Sequence, residues 1–230
     1  GGAGTEMGRN ALVGASFATW RVDSKTVLAL SFTSPFGLGT KAQTQDWVGS
    51  YQGLTTSVFN LNAAPIISYE IAPGLSVAAG VQIDYFNLQR QTAGTPFGTA
   101  DLRADDYGVG YVLGISYAPS ASTSIGVGFR SAIDHTVEGH LGISGVDEAP
   151  IKASLTLPEM LALGLRQAIS PTTRLTAEAE WVNWSRFGVI PIELQGPLLG
   201  SPAGTTASNL DFKWRDGWLF AIGGEYDWSR

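Results

Sequence analysis

Residues able to do covalent chemistry are few. The chain of 230 residues has no cysteine and two histidines, His135 and His140. Without cysteine there is no disulfide scaffold, no thiolate-held zinc and no thiol nucleophile. Ser131 and His135 fall on one parity of an extended segment, which would suit a nucleophile and its base. Along a strand that spacing separates them by roughly 13 Å at about 3.3 Å per residue, beyond hydrogen-bond reach. No Gly-x-Ser-x-Gly, phosphate-loop or dinucleotide fingerprint occurs. The acidic pairs Asp105-Asp106 and Asp147-Glu148 read as solvated loop charges rather than metal ligands. No enzyme, metal or cofactor is expected. With 14 basic and 20 acidic side chains the net charge is −6. No basic stripe is left to neutralise phosphates, so nucleic acid is excluded as a partner.

Binding by apolar contact is better represented. Phe86, Leu88, Val112, Val182 and Trp184 interrupt a parity that otherwise carries small or polar residues. Such a cluster could hold a hydrophobic small molecule, or pack against a plug or folded-in loop. Arg130 and Arg166 share that parity. Either guanidinium could take a carboxylate bidentately, or pair with Asp134, Glu178 or Glu180. A second apolar group lies in connecting segments. Ile190, Ile192, Leu198 and Leu199, with Leu141 and Ile143, are expected to form an outer capture surface, the alternative being a lid packed into the mouth.

The elements that position these residues are strands. Apolar residues recur at period two, as in Leu75, Val77, Ala79, Val81, Ile83 and Tyr85, or Tyr107, Val109, Tyr111, Leu113, Ile115 and Tyr117. Ile125, Val127, Phe129, Ile133 and Val137 continue the pattern, with His135 on the same greasy parity. Strands are expected at 11–20, 25–34, 54–71, 75–85, 107–117, 125–137, 159–169, 173–184 and 217–228. Several reach the 9–11 residues, roughly, that a tilted strand needs to cross a bilayer. Connections alternate between short (21–25, 72–74, 118–121, 170–172) and long (35–53, 89–106, 138–158, 185–216), as in an up-and-down meander whose short turns share one end.

Aromatics mark both ends of the greasy face. Tyr69, Tyr117, Tyr226 and Trp228 lie beside short turns; Tyr85, Tyr107, Trp181 and Trp218 lie beside long connections. Two such belts match the two interfaces of a bilayer. The opposite face carries Gly, Ala and Ser with Asp84, Arg130, Asp134, Glu138, Arg166, Glu178, Glu180 and Glu225, which suits a crowded polar lumen. The greasy face is therefore assigned to membrane lipid. Charged residues make up 15% of the chain and no composition break divides it, so residues 1–230 read as one transmembrane domain. The fold class is all-β, an antiparallel up-and-down barrel wall of about nine strands.

The ordered set Ser31-Phe32-Thr33-Ser34-Pro35-Phe36-Gly37-Leu38, Trp47-Val48-Gly49-Ser50-Tyr51, Asn60-Leu61-Asn62-Ala63-Ala64-Pro65, Ala72-Pro73-Gly74-Leu75-Ser76 and Gly126-Val127-Gly128-Phe129-Arg130-Ser131 resembles the FadL-type outer-membrane transporters of long-chain fatty acids and aromatic hydrocarbons. The resemblance implies a bacterial outer-membrane barrel of about 14 strands, with an N-terminal plug, passive uptake of hydrophobic compounds and sideways exit through a gap in the wall. It also implies a monomer in the full-length form. No plug segment with its Asn-Pro-Ala motif precedes residue 11, and no terminal strand ending in an aromatic follows. The runner-up is a structural or adhesive outer-membrane barrel; a soluble β lipid carrier ranks third. Opposite placement of the two termini adds a parity argument. An odd strand count cannot close a single-chain barrel, so the first and last strands should not pair with each other.

Overall fold

The structure, a computed structural model, describes residues 7, 8, 10, 13–42, 49–51 and 53–228. The first two positions of the expected strand 11–20, and Trp47 and Val48 of the family resemblance, lie outside the described residues. Fourteen strands form one sheet. In chain order they are β1 (Ser16–Arg21), β2 (Thr26–Thr33), β3 (Leu38–Lys41), β4 (Thr55–Ala72), β5 (Leu75–Thr95), β6 (Gly98–Ser120), β7 (Thr123–Arg130), β8 (Ile133–Ile143), β9 (Asp147–Leu157), β10 (Met160–Ala168), β11 (Thr173–Val182), β12 (Val189–Leu194), β13 (Thr206–Asp211) and β14 (Gly217–Tyr226). Every pairing is antiparallel.

The continuous wall follows the order β1-β2-β4-β5-β6-β7-β10-β11-β14. Among the described residues β1 pairs with β2 alone and β14 with β11 alone, so the sheet is open. Its short turns are built by local chemistry. Asp23 accepts the backbone N–H groups of Lys25 and Thr26, each at 2.8 Å. These bonds, Lys25's first, hold the Asp23 carboxyl below the usual carboxylate range. Gly74 adopts φ 73° beside the Ala118 carbonyl, which a Cβ would meet at 2.5 Å. Glycine is the residue that tolerates both demands.

Each wall strand exposes one apolar face, including Leu28, Leu30, Ile67, Val81, Ile83, Val109, Leu113, Leu163, Phe220 and Ile222. The other face is small or polar, and at Gly126, Gly128 and Gly164 an added Cβ would meet nothing within 4 Å. A sheet greasy outside and sparse inside is the wall of a membrane barrel. No helix among the described residues is long and apolar enough to cross a membrane; the crossing is made by strands.

The long connections depart from expectation. Residues 89–106 are no loop: β5 and β6 continue as one ladder to the pair Thr95↔Gly98. Residues 138–158 form the β8–β9 hairpin, 185–216 contain β12 and β13, and 35–53 contain β3. Their composition, rich in Gly, Pro, Asp and Ser, reads as loop, yet alternate residues are apolar and turn inward. Leu102, Ala104, Val137, Ile151, Ala153, Leu155, Ile192 and Leu194 meet in the main hydrophobic cluster. The core of the molecule therefore sits in the sheet beyond the long-connection end of the wall.

The expected strand 125–137 is also revised. It breaks at Ser131-Ala132 into β7 and β8, and the greasy parity changes sides there. Ile125 and Val127 are exposed, whereas Ile133, His135 and Val137 are buried. Arg130 and Ser131 both turn inward, so one added residue reverses the facing of all that follows. His135 is consequently not on the lipid face.

Candidate functional site

At the outer end of the wall the sheet encloses an apolar cavity of about 360 Å³, lined by residues of β3 to β6, β8, β9, β12 and the segments around them. Phe86 and Leu88 come from β5, Leu102 and Ala104 from β6, Val137 from β8, and Ile151, Ala153 and Leu155 from β9. Thr56 is the lone aliphatic hydroxyl, and no charged side chain contributes to the lining. The volume falls within the range of small-molecule sites, which run from about 300 to 1,000 Å³ and are mostly apolar.

One side of the cavity is an aromatic cluster. A short 3-10 turn, Trp184–Phe187, presents both of its aromatic residues. Trp184 meets Phe36 edge-on at 5.6 Å and Trp214 at 5.1 Å, while Phe187 stacks on Trp214 at 5.1 Å and meets Phe212 at 5.0 Å. Offset and edge-on pairs of this kind add packing energy beyond area burial. The turn is fixed from outside the cavity. Arg186 grips both oxygens of Glu159, at 2.5 and 2.7 Å, and Asn183 donates to the same carboxylate at 2.8 Å. Arg186 chiefly, helped by Asn183, holds the Glu159 carboxyl down at about 2. The same pairing raises the Arg186 guanidinium.

Beneath the cavity lies a buried polar network. Asp84 accepts Asn60 Nδ2 at 2.6 Å and Asn62 Nδ2 at 2.9 Å. The His135 ring spans two carboxylates, with Nε2 3.2 Å from Asp84 and Nδ1 3.2 Å from Asp106. Arg130 donates to Asn62 Oδ1 and Gln82 Oε1, both at 3.2 Å. Asn60 pairs across the sheet with Phe86, so the network borders the cavity directly.

The residues singled out from sequence are thus distributed over three places. Phe86, Leu88 and Trp184 line the cavity. Val112 and Arg130 line a separate groove lower on the inner wall, facing Glu180, and Val182 is buried opposite Met160 and Gly217. Arg166 lies far down the wall, 3.3 Å from Glu225, a partner other than those expected. The residues of the expected capture surface are mostly not exposed. Ile190 and Ile192 line the cavity from within, Ile143 and Leu198 are buried, Leu141 is half-buried, and Leu199 alone is exposed. The β12–β13 hairpin pairs with β9 and turns Ile190, Ile192 and Leu194 inward, as the lid alternative requires. Phe36, Phe187, Phe212 and Trp214 were missed as lining. Their signal was the density of aromatics in a nominal loop, Trp184-Ser185-Arg186-Phe187 and Phe212-Lys213-Trp214.

Comparison with known proteins agrees with this architecture. The chain is 22% identical over 176 residues to an outer membrane protein of Neisseria meningitidis serogroup B, covering 68% of this chain and 34% of that protein. A FadL homologue of Pseudomonas aeruginosa superposes with a TM-score of 0.82 at 18% identity, covering 94% of this chain and 56% of the other. The Pseudomonas putida toluene transporter TodX gives 0.64 at 14% identity, covering 94% and 63%. The chain therefore spans about a third of that curated relative and little more than half of these solved barrels. With an apolar-walled open barrel sheet, and with a family model matching residues 2–230, the chain belongs to the bacterial outer membrane protein transport proteins of the OMPP1/FadL/TodX family.

Proposed function

We propose that this chain forms the wall and outer dome of a passive channel that takes up hydrophobic small molecules across the outer membrane. The observation that carries the proposal is the cavity of about 360 Å³ with its apolar and aromatic lining. An apolar solute gains about 25 cal/mol per Å² of surface withdrawn from water on entering it. The similarity to a toluene transporter supports the same reading.

The lining favours uncharged cargo over a fatty acid. A carboxylate would need a cation. Arg186 is held by Glu159, and Arg130 is engaged by Asn62 and Gln82 among the acids Asp84 and Glu180. Arg130 and Arg166, the two candidates for a carboxylate partner, are thus less suited to it than an apolar contact is. Exit to the side is proposed at the break between β2 and β3. The ladder of β1 with β2 ends at Ser16↔Phe32, and Pro35, Phe36 and Gly37 there line the cavity.

Uptake of radiolabelled toluene and of a labelled long-chain fatty acid, by cells carrying the full-length protein, tests both parts. Leu88→Asp and Ala153→Asp, which place charge in the cavity, are expected to lower toluene uptake at least fivefold. Uptake unchanged by either substitution would sink the cavity route.

A further inference from the structure

The wall has another thin place, and it lies against the cavity. β6 is laddered to β7 up to Val112↔Arg130 and to β8 from Asp105↔Glu138. Between those pairs the ladder is interrupted, residues 106–111 facing the longer stretch 131–137. One backbone bond remains, from Ser131 N–H to the Tyr111 carbonyl at 2.9 Å, and side chains supply further partners at both ends. Tyr111 N–H donates to Ser131 Oγ at 2.9 Å, and Thr136 N–H donates to the Asp106 carboxylate at 2.9 Å. Irregular backbone at membrane depth is tolerated where it lines a cavity, and bulges concentrate beside functional sites.

Of the inward positions of β6 here, 106 carries the Asp106 carboxylate, whereas 108 and 110 are glycines. A Cβ on Gly108 would stand 2.5 Å from Ile133 Cγ2 and 2.7 Å from His135 Cε1. On the inner side His135 meets Phe86 of the cavity lining, ring centroids 5.6 Å apart. On the outer side Tyr107 and Val109 are 71% and 72% exposed, the most open apolar positions of β6. Ile133 and His135, both buried, pack over Gly108 between the cavity lining and the exposed face of β6. Tyr85 and Tyr107 pair at 4.7 Å beside the break, which puts it at the outer aromatic belt.

We propose that this interruption is a side window, a second exit through which apolar cargo passes from the cavity into the outer part of the bilayer. Ile133 and His135 form its shutter, and Asp84 and Asp106 hold the shutter closed. The proposal rests on the channel reading above. The polar contacts suit a reclosing part, since a buried imidazole between two carboxylates has one well-satisfied position and a costly set of others.

The test uses uptake of radiolabelled naphthalene by cells carrying the full-length protein. His135→Ala removes the shutter and is expected to raise the initial rate at least threefold. Adding Gly108→Leu to it refills the vacated space with an apolar side chain and is expected to restore the original rate. The chain has no cysteine, so a bulky apolar maleimide on Val109→Cys has one target in it and caps the window from outside. That cap is expected to halve the rate, whereas the same label on Ile115→Cys, farther along the same face, leaves it unchanged. If His135→Ala does not fold, the capping pair decides alone. Rates equal to wild type in the capped and shutterless proteins would overturn the window and leave the channel standing. Wild-type uptake no faster than in cells without the protein would overturn the channel reading itself.

Discussion

Asp84, fully buried, collects hydrogen bonds from Asn60 and Asn62 of β4 and lies against the His135 ring of β8. Replacing it with Ala would leave those donors buried without their acceptor. Leaving a buried donor without its acceptor costs about 1–3 kcal/mol. Urea unfolding of Asp84→Ala in lipid vesicles should show a loss of that order, and an unchanged midpoint would mean the network carries no stability. Gly108 makes a complementary demand, for space rather than charge. Gly108→Ala would force Ile133 and the His135 ring to move, and overpacking of this kind costs about 1–3 kcal/mol. A shift of the same sign and similar size is the expected outcome of the same measurement.

The 3-10 turn Trp184–Phe187 shows how an element too short to be stable alone is held by its ends. Glu159 does this through Arg186 and Asn183, and its carboxyl titrates at about 2 instead of 4.5. A depressed folded-state value contributes stability that is present above the unfolded value and lost as pH falls. The clamp should therefore be intact above about pH 4.5 and fade toward about 2. Glu159→Gln should lower the thermal midpoint at pH 6, by an amount corresponding to about 1–3 kcal/mol, and the gap to wild type should close on acidification. A gap independent of pH would show that the pair does not fasten the turn. The wall elements were readable from sequence because each has lipid on one side and a sparse lumen on the other, which writes period two into Leu75 to Tyr85 and Tyr107 to Tyr117. The outer elements were not. In β8 and β9 both faces matter, and charged residues such as Glu138 and Lys152 pair across exposed positions. The reversal at Ser131 was invisible for another reason, since one inserted residue changes facing without changing the spacing of Ile125, Val127, Ile133 and Val137. The site divided the same way. Phe86 and Leu88 stood out against a polar parity, whereas Phe212 and Trp214 acquire their place through a hairpin whose pairing no local pattern announces.

Across the whole molecule two kinds of apolar burial coexist. In the outer half the greasy side chains pack on one another, as Ile151, Leu157, Ile192 and Leu194 do at 4% exposure or less. In the wall they face outward, with Val81 at 52%, Leu113 at 50% and Ile222 at 88% exposed, and the lumen side of Gly126, Gly128 and Gly164 offers nothing to pack against. The outer half thus carries its own core, while the wall depends on hydrocarbon. Arg at Val81 or Leu113 should cost about 2–4 kcal/mol in a bilayer, and Arg at the exposed Val146 of the β8–β9 tip should cost almost nothing by the same unfolding measurement. The contrast extends to the order of unfolding. Opening free energies vary across a structure with local packing. Transfer of the full-length protein from lipid vesicles to dilute detergent removes the solvent that the wall requires and leaves the contacts of the outer half untouched. Hydrogen exchange after that transfer should accelerate first in β7, β10 and β11. The β8–β9 hairpin and the outer ends of β5 and β6 should stay protected. Uniform loss of protection along β5, from Leu75 to Thr95, would mean that wall and dome unfold as one unit and that the outer core cannot stand without the membrane.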